Sequence, residues 1–139
     1  MLPPIQKDKE GRLTLSIRTG IFTVRSDGIL LGQPTSVDVD VAEAREMVEA
    51  MAKIYPAPHG RLLLDQRKVS RRMTPAARAF LAENTDQFDK IAIIVGSAIS
   101  RFLASGILMV SGRSRQVQVF ENEAAAVLWL EPTATSRSA

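Results

Sequence analysis

Two apolar runs without polar alternation, Leu62-Leu63-Leu64 and Ile91-Ala92-Ile93-Ile94-Val95, constrain this chain more than any other feature. A strand with one wet face alternates, whereas an unbroken run has both faces covered, the condition of strands inside a parallel sheet overlaid by helices. Between the runs, Thr74-Pro75 marks a helix start. The Thr oxygen accepts from an orphan amide, and Pro in the first turn gives up no donor the helix needs. The unit is strand, basic loop, helix, strand, and Asp65 and Arg67 fall at the carboxyl end of its first strand.

The remaining chain supplies elements that fit around this unit. Leu13, Leu15 and Ile17 alternate with polar residues, Thr19-Gly20 offers a turn before Ile21, Phe22 and Val24, and Asp27-Gly28 is a hairpin signal leading into Ile29-Leu30-Leu31. Three antiparallel strands are expected there. Asp40 with Glu43 forms a capping box, followed by an apolar stripe through Val41, Ala44, Met47, Val48, Met51 and Ala52 that ends at Pro56. A second helix is expected from Pro75 to about Asn84. A third is expected from Ala98 to about Val110, apolar on nearly every side, then a strand at Gln116–Phe120 and a last helix capped by Asn122. Helices interleaved with apolar strands predict an α/β fold, a mixed β-sheet flanked by helices. Residues 1–12 read as a flexible N-terminal arm, 13–131 as a single domain and 132–139 as a disordered tail.

At 139 residues, 45% of them apolar and 24% charged, the chain is long enough to bury one core without covalent help. It has no Cys, which removes disulfides, thiolate metal sites and a Cys nucleophile. The N-terminal ten residues lack the apolar core of a secretory signal. The stretch from Ile91 to Val110 carries Arg101 at its middle, which costs about 2.5–3.5 kcal/mol on insertion scales, so no membrane span is expected. The net charge is only +3, but it is unevenly placed. Residues 61–80 hold Arg61, Arg67, Lys68, Arg71, Arg72 and Arg78 against Asp65, while residues 38–50 hold Asp38, Asp40, Glu43, Glu46 and Glu49 against Arg45. A basic edge and an acidic helix face follow, and the simpler reading of both is two solvated surfaces of opposite sign.

Several spaced pieces then fit together: Leu63-Leu64-Asp65-x-Arg67, Ala76-Ala77-Arg78-x-Phe80, Ser97-x-x-Ser100-Arg101, Val119-Phe120-x-x-Glu123-x-Ala125 and Trp129-Leu130. From about residue 13 to 131 the chain resembles the SpoIIAA-like group of bacterial STAS-type domains (sulphate transporter and anti-sigma factor antagonist), also labelled STAS/SEC14-like. The resemblance implies a SpoIIAA-like mixed sheet, a cytoplasmic protein, no established catalysis and a small homo-oligomer such as a dimer. In the anti-sigma factor antagonists the loop carries Asp-Ser-Ser-Gly with a phosphorylated serine. Here that motif falls on Met73-Thr74-Pro75-Ala76, and the second serine is Pro75, which has no hydroxyl. Thr74, with Ser70 nearby, remains as a candidate phosphoacceptor beside its simpler role as a cap.

Ligands of open sheets with parallel strands settle beyond the strands' carboxyl ends, and helix N-termini there favour anions. The candidate contacts are therefore Arg67, Lys68, Arg71, Arg72, Ser97, Ser100 and Arg101, in a non-catalytic binding or regulatory module for an anionic group or a protein partner. Asp65 clipping Arg67, Arg78 or Arg101 is the structural alternative for these cations. A second reading is a homo-oligomeric interaction scaffold, with Phe102, Leu103, Ile107 and Leu108 as its apolar contact. An enzyme is not expected: Ser97 and Ser100 are hydroxyls without a base, because the sole His, His59, belongs to a loop at the opposite end of the central strand. No cofactor or metal is expected. Glu43, Glu46 and Glu49 have no second converging set, no glycine-rich phosphate loop occurs, and the aromatics are not interleaved with arginines as a nucleic-acid platform requires.

Overall fold

In the computed structural model, residues 2–56, 58–67, 71–96 and 116–131 are described. Seven strands form one sheet in sequential order: β1 (Gln6–Lys7), β2 (Leu13–Ile17), β3 (Gly20–Val24), β4 (Leu30–Pro34), β5 (Gly60–Asp65), β6 (Phe88–Ile94) and β7 (Gln116–Phe120). The first four pair antiparallel and β4 through β7 pair parallel. The mixed sheet expected from the sequence is thus present. Leu62 lies opposite Ile91 and Leu64 opposite Ile93 in the parallel register of the two apolar runs.

The helices account for those runs. α1 (Val41–Ile54) follows β4, α2 (Pro75–Glu83) follows β5, and both pack on one face of the sheet. α3 (Glu123–Leu130) follows β7 and covers the other face. Leu62, Ile91 and Ile93 enter the α1/α2 core with Phe22, Met47 and Met51. Leu63, Ala92 and Ile94 enter the α3 core with Ala126 and Leu130. Alternation disappears from the sequence because both directions from the sheet are apolar.

Caps set the helix ends. Asp40 and Glu43 form the reciprocal box before α1, the Thr74 oxygen accepts from Ala77 N before α2, and the Asn122 oxygen accepts from Ala125 N before α3. The two helix starts on the first face are also tied together. Thr74 Oγ1 donates to Asp40 Oδ1 at 2.9 Å, and Val39 pairs with Met73 through Val39 N to Arg72 O (2.8 Å) and Thr74 N to Val39 O (3.0 Å). Removing the Thr74 hydroxyl therefore takes away a cap and a tie together. Thr74→Ala is expected to cost about 1–2 kcal/mol in urea unfolding, against a few tenths for an exposed Ala79→Ser control.

The first dozen residues, expected as an arm, instead add an edge strand. Gln6 and Lys7 pair with Thr14 and Leu13, Leu2 and Ile5 pack on the core, and Lys53 Nζ reaches Pro3 O at 2.9 Å. The turn holding this strand repeats the plan of the turn after β3. Gly11 N donates to Asp8 O and Asp8 N to Arg12 O, as Gly28 N donates to Arg25 O and Arg25 N to Ile29 O. Each glycine takes the left-handed position, φ 81° and 82°, that a three-residue hairpin loop demands. The Asp27-Gly28 signal thus marks a loop one residue longer than a two-residue hairpin. Asp8 accepts from Glu10 N and Arg12 N and pairs with Arg12 Nε, and these bonds, the Arg12 amide first, hold its carboxyl below the usual aspartate value. A group with a depressed folded pKa stabilises above its unfolded pKa and loses that contribution as pH falls through the folded value. The β1 hairpin should therefore loosen below the ordinary aspartate range and stay closed at neutral pH, an effect tracked by the NMR shifts of the Glu10 and Arg12 amides.

Candidate functional site

β5 and β6 emerge side by side, and their ends stay in contact. A Cβ built on Gly96 would come within 3.1 Å of Arg67 O. The arginines that follow β5 do not converge on one point. Arg67 turns toward α3, where it forks onto Asp65 (Nε to Oδ1 2.9 Å, Nη2 to Oδ2 2.7 Å) and approaches Glu123 at 3.6 Å. The Asp65 hydrogen bonds, with its charge, raise the Arg67 pKa above its ordinary value. This is the structural clip that the sequence left open. Arg71 folds inward and donates from Nη1 to Thr19 O at 3.0 Å, joining the rim to the β2–β3 turn. Burial lowers its pKa from the usual arginine value, although a guanidinium stays charged at neutral pH.

Arg72 uses its backbone N–H on Asp38 Oδ1 and leaves its side chain exposed. The hydroxyl of Thr74 is engaged as both donor and acceptor, so a phosphate on it would face the Asp40 carboxylate. Lys68, Ser70, Ser97, Ser100 and Arg101 lie outside the described residues, as does the expected helix over 98–110 with Phe102, Leu103, Ile107 and Leu108. His59 sits by the amino ends of β5 and β6, exposed at φ 56°, with Nδ1 3.1 Å from Asp89. Glu43 spends its carboxylate on the Asp40 amide. Among the described residues no three His, Asp or Glu side chains group as metal ligands, and no helix is long and apolar enough to cross a membrane.

Two features escaped the sequence reading. Arg61, counted there with the basic edge, is an internal strap: Nη1 donates to Leu130 O (3.2 Å) and Nη2 to Asp27 O (3.1 Å). Lys90 does the same for Trp129 O at 3.1 Å while lying over the Trp129 ring, so two cations close the C-terminus of α3. The second feature is a cavity of about 120 Å³ on the α1/α2 face. Its floor is Leu62, Leu64, Ile91, Ile93 and Val117, its walls include Met47, Met51, Met73 and Leu81, and Arg78 is the one charged side chain lining it among the described residues.

A family model described as a domain of unknown function (DUF7793) matches residues 22–134. The chain belongs to this family. Among curated proteins none matches it. The structure is similar to the crystal structure of an uncharacterized protein of the DUF3478 family with a SpoIIAA-like fold from Shewanella loihica PV-4. The TM-score is 0.57 at 13% identity, over 86% of this chain and 92% of that one. At that identity the likeness establishes the fold, and the SpoIIAA-like architecture expected from the spaced motifs is borne out. In this DUF7793 domain, then, the rim cations divide into two sets. Arg67 and Arg71 are bound into the frame there, as Arg61 is at the opposite, amino end of β5, while the side chains of Arg72 and Arg78 make no hydrogen bond or ion pair among the described residues.

Proposed function

We propose that this DUF7793 domain is a non-catalytic binding or regulatory module of the cytoplasm that takes an anionic group, on a small molecule or a protein partner, at the carboxyl rim of β5 and β6. The observation that carries the reading is the pair of uncommitted guanidinium groups, Arg72 and Arg78, flanking the start of α2 beyond a parallel strand. A parallel sheet opens its ligand crevice on this side, and a guanidinium recognises carboxylate or phosphate through two parallel bonds. The committed neighbours are consistent with the reading, since Asp65 and the Thr19 carbonyl hold Arg67 and Arg71 at the same end of the sheet.

An NMR titration of the full chain with inorganic phosphate at low salt tests the proposal. Shifts are expected at Arg72, Met73 and Arg78, with binding about tenfold weaker in Arg72→Glu and lost as salt is raised. Phosphate shifts spread evenly over the surface, and equal in the variant, would remove the rim as a site.

A second reading, a homo-oligomeric scaffold, has one observation in its favour. Leu128 on α3 is 72% exposed, although Ala126 and Leu130 of the same helix are buried. If α3 forms a contact between copies, light scattering at micromolar concentration gives twice the chain mass, and Leu128→Glu returns it to the single-chain value. A single-chain mass for the unaltered protein would end this reading.

A further inference from the structure

The cavity on the α1/α2 face and the uncommitted Arg78 belong together. Arg78 is half-buried, in the second turn of α2, and its side chain lines the same space as Gln66 at the end of β5 and Leu62, Leu64, Ile91 and Ile93 on the sheet. Among the described residues its guanidinium has no hydrogen-bond or ion-pair partner, so half-burial takes part of its hydration without return unless something negative arrives. The neighbouring surface is apolar, so the arrangement is one cation at the edge of a hydrocarbon-lined hollow. Ligand sites have this composition: apolar walls bind, and a few polar groups orient.

We infer that the cavity is the binding site of a small amphipathic carboxylate, with the carboxylate paired to Arg78 and an aliphatic or aromatic tail on Leu62, Leu64, Ile91 and Ile93. The inference rests on the anion-binding reading above and names the ligand class for that rim. Size limits the tail. An apolar cavity of about 150 Å³ takes one benzene ring, so about 120 Å³ fits a ring or a chain of roughly four to six carbons. Three of the chain's five methionines, Met47, Met51 and Met73, line the walls. Unbranched thioethers repack around tails of different shape, so the site selects for a charged head and modest length rather than for one skeleton. One occupant competes with this one: the stem of Arg78 can cover the hollow with its head in water.

The test is a titration of the full chain, followed by amide NMR, with acetate, butyrate, hexanoate and octanoate, and with hexanol and inorganic phosphate as controls. Affinity is expected to rise about 3–4-fold per methylene from acetate to hexanoate and then level off as the cavity fills. Arg78→Gln should weaken hexanoate about tenfold or more and leave hexanol unchanged. Arg78→Lys should recover part of the loss. Ala82→Met, which projects a side chain into the hollow, should abolish hexanoate binding without lowering the Tm, and it keeps the test decisive if the Arg78 variants fold poorly.

Phosphate binding with no gain along the acid series overturns the inference and leaves the rim reading standing. So does hexanoate binding that survives Ala82→Met. If neither phosphate nor any acid moves the amides of Arg72, Met73 and Arg78, both fall. Equal affinity for hexanol and hexanoate removes Arg78 as the recognising group and overturns the inference as stated.

Discussion

Phe88→Ala is expected to destabilise the domain by about 3–5 kcal/mol, the largest loss from any single truncation considered for this fold. Phe88 opens β6, is 1% exposed, and stacks on Tyr55 with ring centroids 5.9 Å apart and planes 13° apart. Across from it stands Gly60, where a Cβ would lie 2.5 Å from Tyr55 Cε2 and 3.2 Å from Phe88 Cδ1. The two rings therefore occupy the space a side chain at position 60 would need. Tyr55 is itself fixed, since its hydroxyl donates to Gly28 O at 2.7 Å and accepts from Arg61 N at 3.3 Å. Removing the Phe88 ring leaves a void that this bonded frame cannot collapse into, so the full cavity cost is expected. Against a typical domain stability of about 5–15 kcal/mol, that loss takes a third or more of the whole. Equilibrium urea unfolding reads it directly. Phe88→Leu should cost far less, and equal costs for the two variants would mean the stacked pair carries no particular weight.

Arg61→Met, which keeps most of the aliphatic stem and deletes the charge, is expected to cost about 2–3 kcal/mol. Charge-assisted hydrogen bonds contribute about 1.5–3 kcal/mol each, and of the two made by Arg61 one is part-buried and the other exposed, so solvent screening brings their sum to the lower end of the combined range or just under it. The bonds join three separated pieces of chain: β5, the Asp27 turn and the last turn of α3. The loss should therefore be accompanied by faster amide exchange at the C-terminal end of α3 and in the Asp27–Gly28 turn. A variant as stable as the parent, with unchanged exchange at both places, would show the strap to be dispensable.

Much of this fold was legible because its instructions are local. Asp40 with Glu43, Thr74 before Pro75, and Asn122 before Glu123 each fix a helix start through bonds reaching no more than three residues, and all three starts are found where the residues put them. The uninterrupted runs Leu62–Leu64 and Ile91–Val95 announced covered strands, and both are buried between two helical layers. The edge strand at Gln6–Lys7 was missed because its only announcement is Gly11 in a mixed-charge stretch. That glycine's left-handed φ becomes visible once the chain is folded.

The candidate site was legible to a smaller degree. A count of arginines predicts a basic rim but cannot tell Arg61, which turns inward to Leu130, from Arg78, which lines the cavity. Direction depends on strand parity and on partners far away in sequence: 69 residues separate Arg61 from Leu130 and 52 separate Arg71 from Thr19. The cavity was not legible at all. Its lining comes from β3, β5, β6, β7, α1 and α2, and each contributor reads in isolation as ordinary core.

The Thr74–Asp40 bond and the Val39–Met73 pairing make one latch of two helix beginnings. Lifting the start of α2 from the sheet by itself would break these bonds, so widening the hollow beneath it is easier if α1 moves as well. A molecule entering that hollow would therefore press on α1 at two places, at Met47 and Met51 in the lining and through the tie at its start.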